Sequence, residues 1–199
     1  EPEALEILKA KKGGKYIVLQ ADADYEPPAE EQRVVYGTDM RQARAAKAVD
    51  AETLANVVTA DKSMTDGAKR DLLVAQIAIK YTQSNSVGYA KDGQMVGVGA
   101  GQQSRVDCVK LAGRKVATWY LRQHPKVRAL AFNDGVKRQE RINARVRYIE
   151  GDMPPTELEM WKQMFDTVPE MLTESEKAEF LKGLTGVSLA SDAFFPFRD

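Results

Sequence analysis

The sequence predicts a mixed α/β core carrying a helical appendage, and three stretches carry that prediction. Residues 72–79 are apolar almost all round and read as a buried helix. Residues 86–91 and 94–98 flank Asp92-Gly93 and read as a hairpin, because both central residues of a type I′ turn need positive φ. After Pro125 the texture changes to helices with capping signatures, before residues 187–199 (VSLASDAFFPFRD) return to strand-like character.

Taken in order, residues 2–12 predict a short helix that Gly13-Gly14 ends. Residues 15–21 (KYIVLQA) have an apolar centre and predict a strand interior to a sheet. A polar loop with Pro27-Pro28 follows, and strand character resumes over 33–36. Residues 38–50 are ambiguous, and 52–59 carry an apolar run. A helix starts near Thr65. The helix from Gln102 has Val109, Ala112, Val116 and Tyr120 on one stripe, which predicts a core-facing side. Residues 136–149 predict a helix with Arg138, Arg141 and Arg145 along one side, read as a solvated or salt-bridged face. Thr156 with Glu159 and Thr173 with Glu176 predict two capping boxes, with Trp161, Met164, Phe165, Phe180 and Leu181 as apolar positions. The expected division is therefore a core over 1–135, a helical insertion over 136–184, and a return to the core over 185–199.

Composition bounds the function. The 29 basic and 29 acidic residues balance to +0, which argues against a protein built to hold nucleic acid or an anionic membrane. RNA binding through the arginine-bearing helix is disfavoured for the same reason. No apolar run reaches membrane-spanning length, and the first residues do not read as a signal peptide. The single cysteine, Cys108, excludes an internal disulfide and a thiolate-rich metal site, and a reducing cytoplasm is the simplest setting. It is read as inert helix packing. The single histidine, His124, excludes a multi-histidine centre and is read as a helix C-terminal cap.

Candidate chemistry concentrates in residues 80–105. Thr82-Gln83-Ser84-Asn85-Ser86 puts three hydroxyls and two amides between an apolar helix and a strand, where polar groups must be paired. They either bond to one another and end the helix, or recognise a ligand through Asn85 or Gln83, or form an oxygen cage for an alkali cation completed by a carboxylate such as Asp192. Gly97, Gly99 and Gly101 leave one strand face bare, for close packing of a neighbour or for a ligand. Arg105 falls in the first turn of the next helix, where the dipole disfavours a cation, so its place there points to a facing anion. Phe194, Phe195 and Phe197 around Pro196, with Asp199, either are plain core or suit a flat heteroaromatic ligand. No P-loop, nucleophile elbow or CxxC is present.

The runs DLLVAQIAIKYTQSNS, KYTQSNSVGYAKDGQMVGVGAGQQSRVDC and SDAFFPFRD resemble the AICAR transformylase domain of the bifunctional purine biosynthesis proteins, and motifs from PEALEILKAKKGGKY through NVVT to FFPFRD extend the likeness nearly end to end. The resemblance implies a cytidine-deaminase-like α/β/α sandwich with a mixed sheet and a small helical insertion, without the deaminase zinc. It implies formyl transfer from 10-formyltetrahydrofolate, as co-substrate, to AICAR in IMP synthesis. It makes Asn85 and Asp199 the catalytic candidates. Gln103, Ser104, Arg105, Val106, Asn143, Phe194, Pro196 and Phe197 become substrate- or folate-binding candidates. The Ile79 carbonyl, Thr82, Ser84, Ser86 and Asp192 become ligands for a potassium-like ion. It further implies a cytoplasmic homodimer with active sites at the subunit interface. The family's Lys-His pair is missing, since no Lys-His dipeptide occurs. The chain is thus expected to be the second half of a transformylase domain, cut at both ends and inactive alone. The alternative is a non-catalytic nucleotide-binding or dimerisation module.

Overall fold

Pro2 sits where a helix leaves its N–H unused and Glu3 complements the dipole, so helix α1 runs over Pro2–Ala10. A 3-10 turn over Lys11–Gly14 follows, with Lys12 and Gly13 in the left-handed region. The computed structural model describes residues 1–194, which fall into two units, Glu1–Ala48 and Val49–Asp199. In the first unit, strands β1 (Glu30–Val35) and β2 (Thr38–Ala43) form an antiparallel hairpin. Its turn is Tyr36-Gly37, both with positive φ. β2 resolves half of the ambiguous 38–50 stretch as strand. The strand expected over 15–21 does not form: residues 16–20 are unpaired, and Ile17 and Leu19 are 79% and 87% exposed. The physical reason is that a ladder needs an edge and a layer beneath it. The hairpin pairs only with itself, and no residue of this unit is buried.

The second unit opens with a 3-10 turn over Ala51–Leu54, capped by Asp50 accepting from the Glu52 N–H. Helix α2 (Asp66–Lys80) starts where Thr65 Oγ1 accepts from the Ala68 N–H at 3.2 Å. It buries Asp71, Ala75 and Ile79, a single stripe at four-residue spacing, while Ile77 is 47% exposed. The helix expected to be buried all round is therefore covered on one side only, because a single sheet face meets it. Strands β3 (Ser86–Lys91) and β4 (Gln94–Ala100) form the expected hairpin, with Asp92 and Gly93 at φ 52° and 78°. A β-bulge interrupts the ladder, since Tyr89 faces Gly97 but Ala90 faces Met95. β5 (Ser188–Ser191) pairs with the other edge of β3, giving the order β4-β3-β5. Both pairings are antiparallel; a mixed sheet was expected, and no parallel pair occurs among the described residues.

Helix α3 (Arg105–Leu121) begins three residues later than the sequence suggests. Val87 packs with Cys108 and Ala112 of α3, whereas Gly88 faces Ile79 of α2. Neighbouring strand residues point to opposite faces, so α2 and α3 cover opposite sides of the sheet. The bare glycine face is taken by α3. A Cβ at Gly97 would lie 2.4 Å from the Ala112 carbonyl oxygen, and one at Gly99 would lie 2.2 Å from that of Cys108. Of the two readings of this ribbon, backbone packing is the one the structure shows. On α3 the buried stripe is Cys108, Ala112 and Val116, with Val109 and Tyr120 only partly covered.

A second core follows. Helices α4 (Pro125–Arg128), α5 (Arg138–Glu150), α6 (Pro155–Lys162) and α7 (Glu174–Leu181) enclose Val127, Ala144, Tyr148, Ile149, Trp161 and Phe165 with Leu121 at the end of α3. Tyr148 and Trp161 stack at 5.8 Å, and Trp161 Nε1 donates to the Ala144 carbonyl at 3.0 Å. His124 caps the N-terminus of α4, accepting from the Lys126 N–H through Nδ1, rather than the C-terminus of α3. Pro125 fixes this, being the first residue of a new helix. The capping box at Thr173 and Glu176 forms as expected. The one at Thr156 does not: Pro154 and Pro155 start α6 earlier and leave Thr156 inside its first turn. Arg141 and Arg145 lie over the Phe132 ring. No described helix is long and apolar enough to cross a membrane.

Candidate functional site

Helix α2 ends at Lys80, β3 begins at Ser86, and Tyr81 with the four polar residues Thr82–Asn85 makes the turn between them. The loop after β4 returns alongside, since the Gly101 N–H donates to the Gln83 carbonyl at 2.7 Å. The start of α3 is thereby brought under Asn85. The Ser84–Asn85 peptide is cis.

Arg105, the first residue of α3, is 8% exposed and its guanidinium points into this junction. Nη1 pairs with Asp192 Oδ1 and donates to Ser191 Oγ at 2.9 Å and the Ser86 carbonyl at 3.3 Å. Nη2 donates to Asn85 Oδ1 at 2.8 Å. The anion that its position at a helix N-terminus called for is the carboxylate of Asp192, just past β5. The Ser86 N–H donates to the same Asp192 oxygen at 2.8 Å. Burial pushes the Asp192 carboxyl up, but hydrogen bonds from Ser84, Arg105 and the Ser86 N–H outweigh it and hold it at about 2, so the group is ionised at neutral pH.

The Asn85 amide is held from both ends: Nδ2 donates to the Gln102 and Gln103 carbonyls at 3.1 and 3.3 Å. Beneath it the buried Cys108 Sγ donates to the Asn85 carbonyl at 3.0 Å. Thr82 Oγ1 donates to the Ile79 carbonyl at 2.7 Å. Ser86 Oγ is fully buried with no hydrogen-bond partner among the described residues. Ser104 is the N-cap of α3 without a side-chain cap bond, and Val106 is 43% exposed.

The structure thus joins Asn85, Arg105, Ser86 and Asp192 in one network, with Gln103 contributing its carbonyl. Asn143 lies on the exposed side of α5, accepts from Gln139 at 3.3 Å, and lines a cavity of about 420 Å³ with Met153, Met160, Trp161 and Met164. No hydrogen bond joins it to Asn85 or Arg105 among the described residues. Phe194 is 78% exposed. Phe195, Pro196, Phe197 and Asp199 lie outside the described residues. Sequence reasoning missed two members. Ser191 and the Gln102 carbonyl carry no pattern of their own and are recruited only by the pairing of β5 and the fold of the 101–104 loop.

The family model for the AICARFT/IMPCHase bienzyme matches residues 1–115, more than half of the chain, including everything from Thr82 to Arg105. The chain belongs to the AICARFT/IMPCHase bienzyme family. Among curated relatives, the bifunctional purine biosynthesis protein PurH of Cereibacter sphaeroides is 41% identical over 115 residues, 58% of this chain and 21% of that protein. PurH of Roseobacter denitrificans is 36% identical over 115 residues, again 58% and 21%. The chain therefore spans about a fifth of the length of these relatives. The AICARFT/IMPCHase family match stops short of the helical core and of Asp192, a narrower span than the quoted sequence runs suggest.

Proposed function

We propose that this chain is part of a folate-dependent formyltransferase of purine synthesis, a member of the phosphoribosylaminoimidazolecarboxamide formyltransferase family. It would transfer the formyl group of 10-formyltetrahydrofolate to the 5-amino group of AICAR. The observation that carries the reading is the Asn85–Arg105–Asp192 network, two of whose members lie in the segment the family model matches. Asn85 is half-buried at the junction, so its amide oxygen is both fixed and reachable. The proposed fold is the deaminase-like α/β/α unit, to which helices on both faces of the sheet give support. Residues 136–184 are the proposed helical insertion.

The reaction brings a weakly nucleophilic aromatic amine to a formyl carbon, loses a proton from that amine and returns one to the folate nitrogen. In this reading Asn85 holds the amine in line, and Gln103, Ser104 and Val106 border the same opening at the start of α3. Phe194, Pro196, Phe197 and Asp199 form the ring wall and its carboxylate, and Asn143 serves the folate side. No residue of this chain is assigned the proton transfer, because the Lys-His pair that the family resemblance assigns to it does not occur here. The chain is therefore proposed to be inactive alone and to complete its site with other parts of the transformylase, as a cytoplasmic homodimer in the full enzyme.

A potassium-like ion fits the oxygen groups beside the site. The Ile79 carbonyl, Thr82, Ser84, Ser86 and Asp192 are all hard donors, and the buried Ser86 hydroxyl lacks any other partner among the described residues. Bound there, the ion would supply positive charge that steadies the 82–86 turn.

Calorimetry with AICAR and a folate analogue tests the reading, on the chain alone and mixed with the preceding part of a family member. Formyl transfer restored only in the mixture supports a composite site. Turnover by the chain alone at the rate of the full enzyme, or no binding of either ligand in the mixture, would refute it.

A further inference from the structure

The carboxamide of Asn85 has four hydrogen-bonding positions: two donors on Nδ2 and two lone pairs on Oδ1. Both donors are spent on the carbonyls of Gln102 and Gln103. One lone pair is spent on Arg105 Nη2. The orientation of the amide follows from its neighbours. Flipped, it would set its oxygen against two carbonyls and its NH2 against a guanidinium, which has nothing to accept with. Among the described residues, what remains is a single lone pair on Oδ1, on a side chain that is only half-buried.

Arg105 has no freedom to release it. Its Nη1 is committed to Asp192, Ser191 Oγ and the Ser86 carbonyl, and the side chain is buried. We propose that Asn85 meets its ligand as a hydrogen-bond acceptor only, and that Arg105, clamped by Asp192, is the positioning residue that imposes this polarity. The ligand group admitted at this position is then an N–H or O–H donor such as an aromatic amine. A carbonyl or phosphate oxygen is turned away, because no donor is left to meet it. The polarity of Asn85 rests on geometry alone; the amine as its occupant rests on the function proposed above.

The side-chain amide signals of Asn85 in the 15N-labelled chain test the positioning without any ligand. Their exchange with solvent is expected to be at least about tenfold slower than that of a free asparagine amide, the factor expected for one hydrogen bond of ordinary strength. In Arg105→Met the amide keeps the Gln102 and Gln103 carbonyls but loses the donor that fixes its oxygen, so the protection is expected to fall and the signals to move. Arg105→Lys keeps the charge, but one ammonium cannot span Asp192, Ser191, Ser86 and Asn85 together, so the signals are expected to move and exchange faster. Asn85 signals unchanged in either folded variant would overturn the positioning role. The occupant is tested by comparing AICAR with the same ribonucleotide lacking its 5-amino group, in the completed enzyme. About tenfold weaker binding of the latter is expected, and loss of that preference in Arg105→Lys. Equal affinity would overturn the amine as occupant. Failure of both nucleotides to bind would overturn the proposed function, with the amide signals still deciding the role of Arg105.

Discussion

The sheet side and the helical side of residues 49–194 are packed by opposite means. Between β4 and α3 the contact is backbone against backbone: Gly97 and Gly99 let the Ala112 and Cys108 carbonyls approach to where a methyl group would sit. Between α5 and α6 the space is filled by rings, with Tyr148 stacked on Trp161 and Phe165 tilted against it at 4.6 Å. The first seam depends on atoms that are missing, and the second on atoms that are present. The difference has a functional side. Close seating of α3 places Arg105 under Asn85, so the site depends on the seam that tolerates no extra carbon.

The comparison can be broken most forcefully from the helical side. Trp161→Ala is expected to cost about 3–5 kcal/mol in urea unfolding, by emptying the aromatic core and removing the indole bond to the Ala144 carbonyl. On the sheet side one added carbon is expected to do comparable harm. Gly99→Ala should cost about 3 kcal/mol by overpacking, because the obstructing atom is backbone and cannot step aside. The control is Gly113→Ala in the middle of the same helix α3, where nothing lies within 4 Å of the new methyl. That change is expected to stabilise the protein by about 0.5–1 kcal/mol. If Gly99→Ala and Gly113→Ala shift the unfolding midpoint alike, the account of the seam is wrong.

Smaller effects sharpen the contrast. Buried Asp71 accepts from the Asp92 and Gly93 N–H groups at 2.9 and 2.7 Å and ties the hairpin turn to α2. Burial alone would raise its pKa, yet these bonds and Arg70 lower it. Asp71→Ala should cost about 2 kcal/mol, read as faster hydrogen exchange at Asp92 and Gly93. On the helical side Thr173→Ala removes the capping box of α7 and should cost about 1 kcal/mol in the same unfolding assay.

Acid separates the two sides again. Asp192 sits at about 2 in the folded protein against an ordinary 3.8, so its stabilisation is complete above pH 3.8 and is lost as pH falls toward 2. Glu176 is held at about 2 chiefly by Lys126, but it is about a third exposed, so water screens it and it contributes less. Asp192→Asn is expected to flatten the acid limb of the stability curve over that interval; a curve of unchanged slope would contradict the ion pair.

What the sequence disclosed was mostly local. The Asp92-Gly93 hairpin and the Thr173–Glu176 cap are written in adjacent residues, and both form. The dipole argument at Arg105 correctly demanded an anion, but it could not name Asp192, which lies 87 residues away and arrives only when β5 pairs with β3. The pattern of 15–21 was read as a strand because apolarity reports propensity, whereas a ladder also needs a neighbour. The helix at 66–80 was read as buried all round because apolar residues were counted without knowing that one face only would be covered. Thr156 and Thr173 show the same four-residue signature, and two prolines were enough to silence the first. Of the site, the cluster over 82–86 was legible as polar groups in need of partners; which of them bond to the chain itself was not.

Cys108 lies fully buried in the glycine seam with its sulfur on the Asn85 carbonyl, and it is the sole thiol of the sequence. Reaction of that thiol with a disulfide reagent therefore requires α3 to lift from β4. The rate of modification becomes a clock for how often the floor of the site opens, read at one atom and without any mutation.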